Sequence, residues 1–110
     1  MRIFEAYQKA RPGAGADVDI ESQKIPDGLK VCIEAISLTD LDTADKVMQI
    51  GYNDGSKDYI LVKKDLSSSE YTLEWHGKIY LDEGRKLIGK VFSATGLDDI
   101  LLVGNGFYVE

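Results

Sequence analysis

Apolar and acidic side chains alternate without interruption from Ala16 to Glu21, and this period of two most restricts the fold of the chain. Successive side chains of a β-strand point to opposite faces of a sheet, so such a segment buries one face and exposes the other. The same alternation begins again at Leu29, at Met48 and at Tyr71. No amphipathic segment is long enough to predict a helix.

Turn chemistry separates the alternating segments at spacings of about ten residues. In Ile25–Gly28 a proline presets φ and a glycine admits positive φ, and Asn53–Ser56 predicts the clearest hairpin. His76–Lys78 and Asn105–Gly106 predict two further turns. About eight short strands of this kind predict an all-β chain that forms an antiparallel, jelly-roll-like β-sandwich.

A change of phase inside one alternating segment predicts a β-bulge. Val31 and Ile33 alternate with polar or small residues, but beyond Ala35 the apolar positions move to Ile36 and Leu38. A single extra residue in one strand produces this slip. We therefore expect a bulge near Ala35.

The length of 110 residues predicts a single domain over residues 1–110. Residues 1–15 are interpreted as an N-terminal arm and hinge, because Arg11–Gly15 is rich in glycine and carries a proline. Ile3, Phe4 and Tyr7 form an apolar patch on this segment and are the predicted interface residues. The alternative is that the segment adds an edge strand to its own sheet.

The charge balance argues against nucleic acid as a partner. Asp and Glu number 19 against 13 Lys and Arg, and the net charge is −6, which opposes binding to phosphates. The sequence has no run of eighteen apolar residues and its first residues have no apolar h-region, so we expect neither a membrane span nor a secretion signal. Cys32 is the only cysteine, and its strand position predicts a small core residue that reacts slowly with thiol reagents.

Two motifs resemble catalytic or nucleotide-binding sites but lack required parts. Gly84–Val91 matches the spacing of a phosphate-binding loop, yet Val91 stands where a magnesium-binding hydroxyl is needed. His76 is the only histidine, and no nucleophile elbow accompanies it. We therefore predict no catalytic residue, no cofactor and no enzymatic activity.

Acidic and aromatic residues leave two alternatives open. Asp40, Asp42 and Asp45 resemble the start of a calcium loop, but the glycine and glutamate that complete such a loop are missing, so no metal site is predicted. Trp75 shares a strand face with Leu73, which favours core packing over a platform for sugars.

Four segments resemble the small β-sandwich virion proteins of tailed bacteriophages and prophages. They are Ile25–Val31, Ile36–Thr39, Leu81–Leu87 and Gly96–Val103. In that group an I/V-P-x-G turn opens a strand, and acidic-glycine and Gly-x-Asp turns precede late strands. Asp82–Arg85 departs from the pattern, because it lacks the proline often found there.

This resemblance implies a non-enzymatic structural protein that is made in the host cytoplasm and resides in the virion. Its implied partners are other copies of itself in a symmetric oligomer, and capsid, fibre or tail components. From the apolar N-terminal segment we favour a trimer. A carbohydrate-binding, lectin-like module is the alternative. No functional residue carries over from the resemblance.

Overall fold

The computed structural model describes residues 2–11 and 15–110. Within those ranges it contains eight β-strands and no helix, so no helix there is long and apolar enough to span a membrane. The strands are β1 (Ile3–Ala10), β2 (Val18–Glu21), β3 (Lys30–Asp40), β4 (Val47–Asn53), β5 (Asp58–Asp65), β6 (Thr72–Asp82), β7 (Lys86–Phe92) and β8 (Ile100–Tyr108). The predicted all-β class is confirmed.

The strands form two four-stranded antiparallel sheets. Sheet 1 has the order β1-β8-β3-β6, and sheet 2 has the order β2-β7-β4-β5. The chain crosses between the sheets after most strands, so only β4 and β5 are neighbours both in a sheet and in the order of the described strands. This is a jelly-roll β-sandwich, as the sequence predicts.

The core lies between the two sheets and is built from the inward half of each alternating strand. Ile36 and Leu38 on β3 and Met48 and Ile50 on β4 are at most 1% exposed. Large branched side chains on both inner faces bury enough apolar area to stabilise a chain of this length without a disulfide.

The predicted bulge is confirmed. The pairing of β3 with β8 shifts between Ile33, which faces Gly106, and Ala35, which faces Asn105, so Glu34 is the extra residue. Ile33 and Ile36 consequently both point into the core. The bulge keeps the apolar face of a long strand inward on both sides of the slip.

Two predicted turns are wrong, because both glycines lie inside strands. His76–Lys78 belongs to β6 and Asn105–Gly106 to β8, and both strands continue past these positions. Gly106 allows close approach, since a Cβ there would lie 1.8 Å from the backbone oxygen of Cys32. Glycine within a strand marks bulges and close backbone contacts as well as turns.

The N-terminal segment is an edge strand of its own sheet, which is the second of the two alternatives. β1 pairs with β8 from Ile3 opposite Phe107 to Ala10 opposite Ile100. Residues 12–14 of the predicted hinge lie outside the described residues. Phe4 has to be corrected from an interface residue to a core residue, because it points inward and is only 7% exposed.

Candidate functional site

The outer face of sheet 1 gathers apolar side chains from its strands. Strand register places Ile3, Phe107, Cys32 and Tyr80 in one row across β1, β8, β3 and β6. Four residues further along β1, Tyr7 stands opposite Val103. Alternation explains this placement, because each of these residues is adjacent in sequence to a core residue that points inward.

Several of these side chains are open to solvent. Ile3 is 64% exposed, Tyr7 is 65% exposed and Tyr80 is 56% exposed. A single exposed apolar residue is ordinary on a protein surface, but here three lie on the same sheet face. We call this surface the apolar sheet face and define it by six outward residues. They are Ile3, Tyr7, Tyr80, Leu101, Val103 and Phe107.

The outward positions at which β8 and β3 pair with each other carry no charge, although β3 also has the exposed Lys30 and the exposed bulge residue Glu34. On β8 and β3 these positions are Leu101, Val103, Asn105, Phe107, Cys32, Ala35, Ser37 and Thr39. Uncharged central positions with polar residues at the margin are typical of the middle of a protein–protein interface. Glu5, Lys9, Glu74 and His76 supply that margin on β1 and β6.

The outer face of sheet 2 has a different character. Lys86 and Lys90 stand outward on its central strand β7, and Lys86 Nζ lies 2.7 Å from a carboxylate oxygen of Glu21. Lys63 and Lys90 both lie over the ring of Phe92, at 4.5 and 4.9 Å from its centroid. These three lysines are paired with a carboxylate or cover an aromatic ring within the chain.

Cys32 points toward the apolar sheet face and is nevertheless fully buried. Its neighbours across the strands are Phe107 and Tyr80, which are much larger. The sequence prediction of a buried thiol is confirmed, although the residue lies on the outer side of the sheet. Its slow reaction with thiol reagents stays a prediction.

An acidic cluster forms the second candidate site, at the end of the sandwich where β3 ends and β8 begins. Asp40, Asp42 and Asp98 each place one carboxylate oxygen within 4.8 Å of the others. Asp40 is the last residue of β3 and points inward like Leu38, so it is fully buried, and Asp98 is 6% exposed. Asp42 is exposed.

Backbone geometry holds the two loops of this cluster together. Asp40 Oδ1 accepts hydrogen bonds from the backbone N–H groups of Asp42 and Thr43, both at 3.0 Å. Asp42 Oδ2 accepts the backbone N–H of Asp99 at 2.8 Å. Burial raises the pKa of the Asp40 carboxyl, and its contact with the Asp98 carboxyl raises it further against the lowering effect of the two N–H donors.

Asp99 lies beside the cluster but belongs to a different ion pair. Its carboxylate accepts hydrogen bonds from Arg11 Nε at 3.1 Å and Nη2 at 3.0 Å, and Lys9 Nζ lies 3.6 Å away. The Arg11 guanidinium, more than Lys9, lowers the pKa of Asp99. The basic residues of this region are therefore directed to Asp99.

The sequence-predicted positions are only partly brought together. Asp40 and Asp42 lie in the cluster and Asp45 does not. Asp98 joins them from a distant loop that the calcium-loop pattern does not include. Most of Gly84–Val91 lies within β7, and the segment contains no helix. His76 is exposed and lies 3.3 Å from Glu74.

Trp75 packs against the core, as the sequence favours. Its indole is half-buried, and its Cζ2 lies 2.8 Å from the position that a Cβ on Gly77 would take. Glycine at 77 thus makes room for the ring.

Comparison with known proteins identifies the fold alone. No protein-family model and no curated protein matches the sequence. The solved structure of PRD1 vertex protein P5 is 13% identical, covers 94% of this chain and 95% of its own, and has a TM-score of 0.54. The Drosophila NLP core is 11% identical, with coverage of 96% and 99% and a TM-score of 0.38. Eiger TNF from S. frugiperda is 12% identical, with coverage of 94% and 92% and a TM-score of 0.42. The chain is a jelly roll similar in fold to a viral vertex protein.

Proposed function

We propose that this chain is a non-enzymatic virion structural protein of phage type that assembles with copies of itself through the apolar sheet face. The observation that carries the proposal is the concentration of exposed apolar side chains on one outer sheet face, where the outward positions at which β8 and β3 pair are uncharged. Monomeric proteins seldom expose contiguous apolar surface without an interaction role. The fold similarity to a viral vertex protein agrees with this role.

The three most exposed residues of the apolar sheet face do not by themselves supply enough free energy for a stable oligomer. Burying the open parts of Ile3, Tyr7 and Tyr80 contributes about 4–5 kcal/mol on transfer values. A micromolar complex needs about 8 kcal/mol in addition to the entropy lost on association. The half-buried Leu101, Val103 and Phe107 supply further apolar area at the centre of the same face. We therefore place the centre of the interface on β8.

The proposed assembly is a closed homo-oligomer, for which we favour a trimer, and it would bind capsid, fibre or tail components. In a closed trimeric ring each copy contacts the next head to tail, so the apolar sheet face of one copy would meet a different part of the surface of its neighbour. The proposed location is the virion, after synthesis in the host cytoplasm. The excess of acidic residues, which gives the net charge of −6, favours protein partners over nucleic acid.

The test compares one substitution on each sheet. Val103 on β8 and Ile88 on β7 are both half-buried, outward residues of central strands. Light scattering at high micromolar concentration should give an oligomer for the parent chain and for Ile88→Lys, and a folded monomer for Val103→Lys. A parent chain that scatters as a monomer, or an equal effect of both substitutions, overturns assembly through this face.

The virion location needs a separate measurement. Phage particles purified by density gradient from the source of this chain should contain it in a fixed ratio to the other structural proteins. Particles that lack the chain contradict the location, even if the chain forms an oligomer in solution.

A further inference from the structure

The buried carboxylates of the acidic cluster are only half satisfied. Asp40 Oδ1 has two N–H donors, but Asp40 Oδ2 and Asp98 Oδ2 are buried and have no hydrogen-bond partner among the described residues. A buried ionised carboxylate without a partner costs several kcal/mol. Such groups persist in folded proteins when they hold a proton between them or coordinate a cation.

No basic side chain in the described part of the chain forms an ion pair with the cluster. Arg11 and Lys9 bind Asp99, and Lys46 Nζ donates to the backbone oxygen of Ser93 at 2.9 Å. The charge of Asp40 and Asp98 is therefore not neutralised from within these residues. A cation from solution would supply the positive charge that neutralises these two carboxylates.

The third carboxylate distinguishes a cation from a shared proton. One proton between Asp40 and Asp98 would neutralise half of that pair, but it would leave a third carboxylate, Asp42, next to the remaining buried charge. Clustered carboxylate oxygens are the ligands that hard cations prefer. The three carboxylate oxygens lie within 4.8 Å of one another. This separation is no longer than two Ca–O bonds of about 2.4 Å, so one calcium ion can contact any two of these oxygens at once.

We propose that Asp40, Asp42 and Asp98 bind one calcium ion. Asp42 is exposed, so water has access to complete the six to eight oxygen ligands that calcium takes. This proposal replaces the expectation from sequence that no metal is bound, and it does not depend on the proposed assembly.

A bound ion would connect two loops that β3 and β8 already bring close. The backbone N–H of Leu41 donates to the carbonyl oxygen of Asp99 at 2.9 Å, and Asp42 accepts from the N–H of Asp99. The site therefore exists only in the folded chain. Because calcium would bind the folded state and not the unfolded one, it should raise the melting temperature.

The experiment uses the full chain after removal of metals with EDTA. Isothermal titration with calcium chloride should show one ion per chain. Calcium at about one hundred times its dissociation constant should raise the melting temperature by about 10 °C. Magnesium should give a smaller shift, because it prefers a compact octahedral site.

Three variants assign the site. Asp98→Asn and the exposed Asp42→Asn should each weaken calcium binding at least tenfold, and Asp42→Asn is the informative variant if Asp98→Asn does not fold. Asp45→Asn is the matched control. Asp45 is an exposed aspartate in the same loop, its carboxylate lies outside the cluster, and asparagine tolerates its φ of 67°.

Three results would overturn the proposal. The first is a parent chain that shows neither binding heat nor a calcium-dependent melting temperature, which would leave a shared proton as the account of the buried pair. The second is an equal loss of affinity in Asp45→Asn and Asp42→Asn. The third is a magnesium shift as large as the calcium shift, which rejects the assignment to calcium.

Discussion

Phe4 and Tyr108 meet edge to face, with ring centroids 5.5 Å apart and ring planes at 83°. Phe4 lies on the edge strand β1 and Tyr108 at the end of β8, so this contact fastens the first strand to the last. Arg2 adds to it, since its guanidinium carbon lies 4.1 Å from the centroid of the Tyr108 ring. The N-terminal strand is thus part of the sandwich in this chain.

Replacing Phe4 should destabilise the fold, whereas replacing its exposed neighbour Tyr7 should not. Phe4→Ala removes a core side chain and its aromatic contact, which should lower the free energy of unfolding by about 3 kcal/mol. Tyr7→Ala should change that free energy by less than about 0.5 kcal/mol when measured on the monomer. Urea unfolding of both variants checks this. A stable Phe4→Ala protein would mean that β1 leaves its own sheet.

Gly106 should tolerate alanine less well than Gly104, although both lie on β8. A Cβ at 106 would meet the backbone oxygen of Cys32 at 1.8 Å, and the backbone of the bulged strand β3 cannot move away cheaply. A Cβ at 104 would meet the Leu87 side chain at 2.2 Å, which can rotate. We expect losses of about 3 kcal/mol for Gly106→Ala and about 1 kcal/mol for Gly104→Ala, measured by thermal unfolding. Equal losses would contradict this account of the bulge.

Asp54 should stay ionised in strongly acidic solution. The backbone N–H groups of Ser56 and Lys57 donate to its Oδ1 at 3.0 and 2.9 Å, and they lower its pKa to about 2. A carboxyl whose pKa is lower in the folded state stabilises the fold above its unfolded pKa of about 4, and that contribution is lost as the pH falls toward 2.

Nuclear magnetic resonance of the Asp54 carboxyl carbon measures this pKa directly. Asp54→Asn is the control, since it keeps an oxygen acceptor but carries no charge. The stability difference between the parent chain and Asp54→Asn should shrink between about pH 4 and pH 2. A titration midpoint near the ordinary aspartate value would show that the β4–β5 turn does not hold the carboxylate in solution.

The sequence by itself determined the local features of this protein. The alternation in Ala16–Glu21, the proline–glycine turn after Ile25 and the phase change near Ala35 predicted strands, a turn and a bulge that the structure contains. These features depend on neighbouring residues, because side-chain alternation and turn conformation are properties of a short stretch of backbone. The net charge also follows from the sequence alone, because it depends only on the number of charged residues.

Only the tertiary structure decided which residues share a surface. Asp98 lies beside Asp40 because β8 pairs with β3. Phe4 faces the core because of the register in which β1 pairs with β8; a shift of that register by one residue would turn Phe4 to the outer face. His76–Lys78 and Asn105–Gly106 have the residues of turns but lie in strands, since cross-strand pairing outweighs local preference. Strand pairing joins residues far apart in sequence, and no local pattern records which partner, which register or which outer face the folded chain selects.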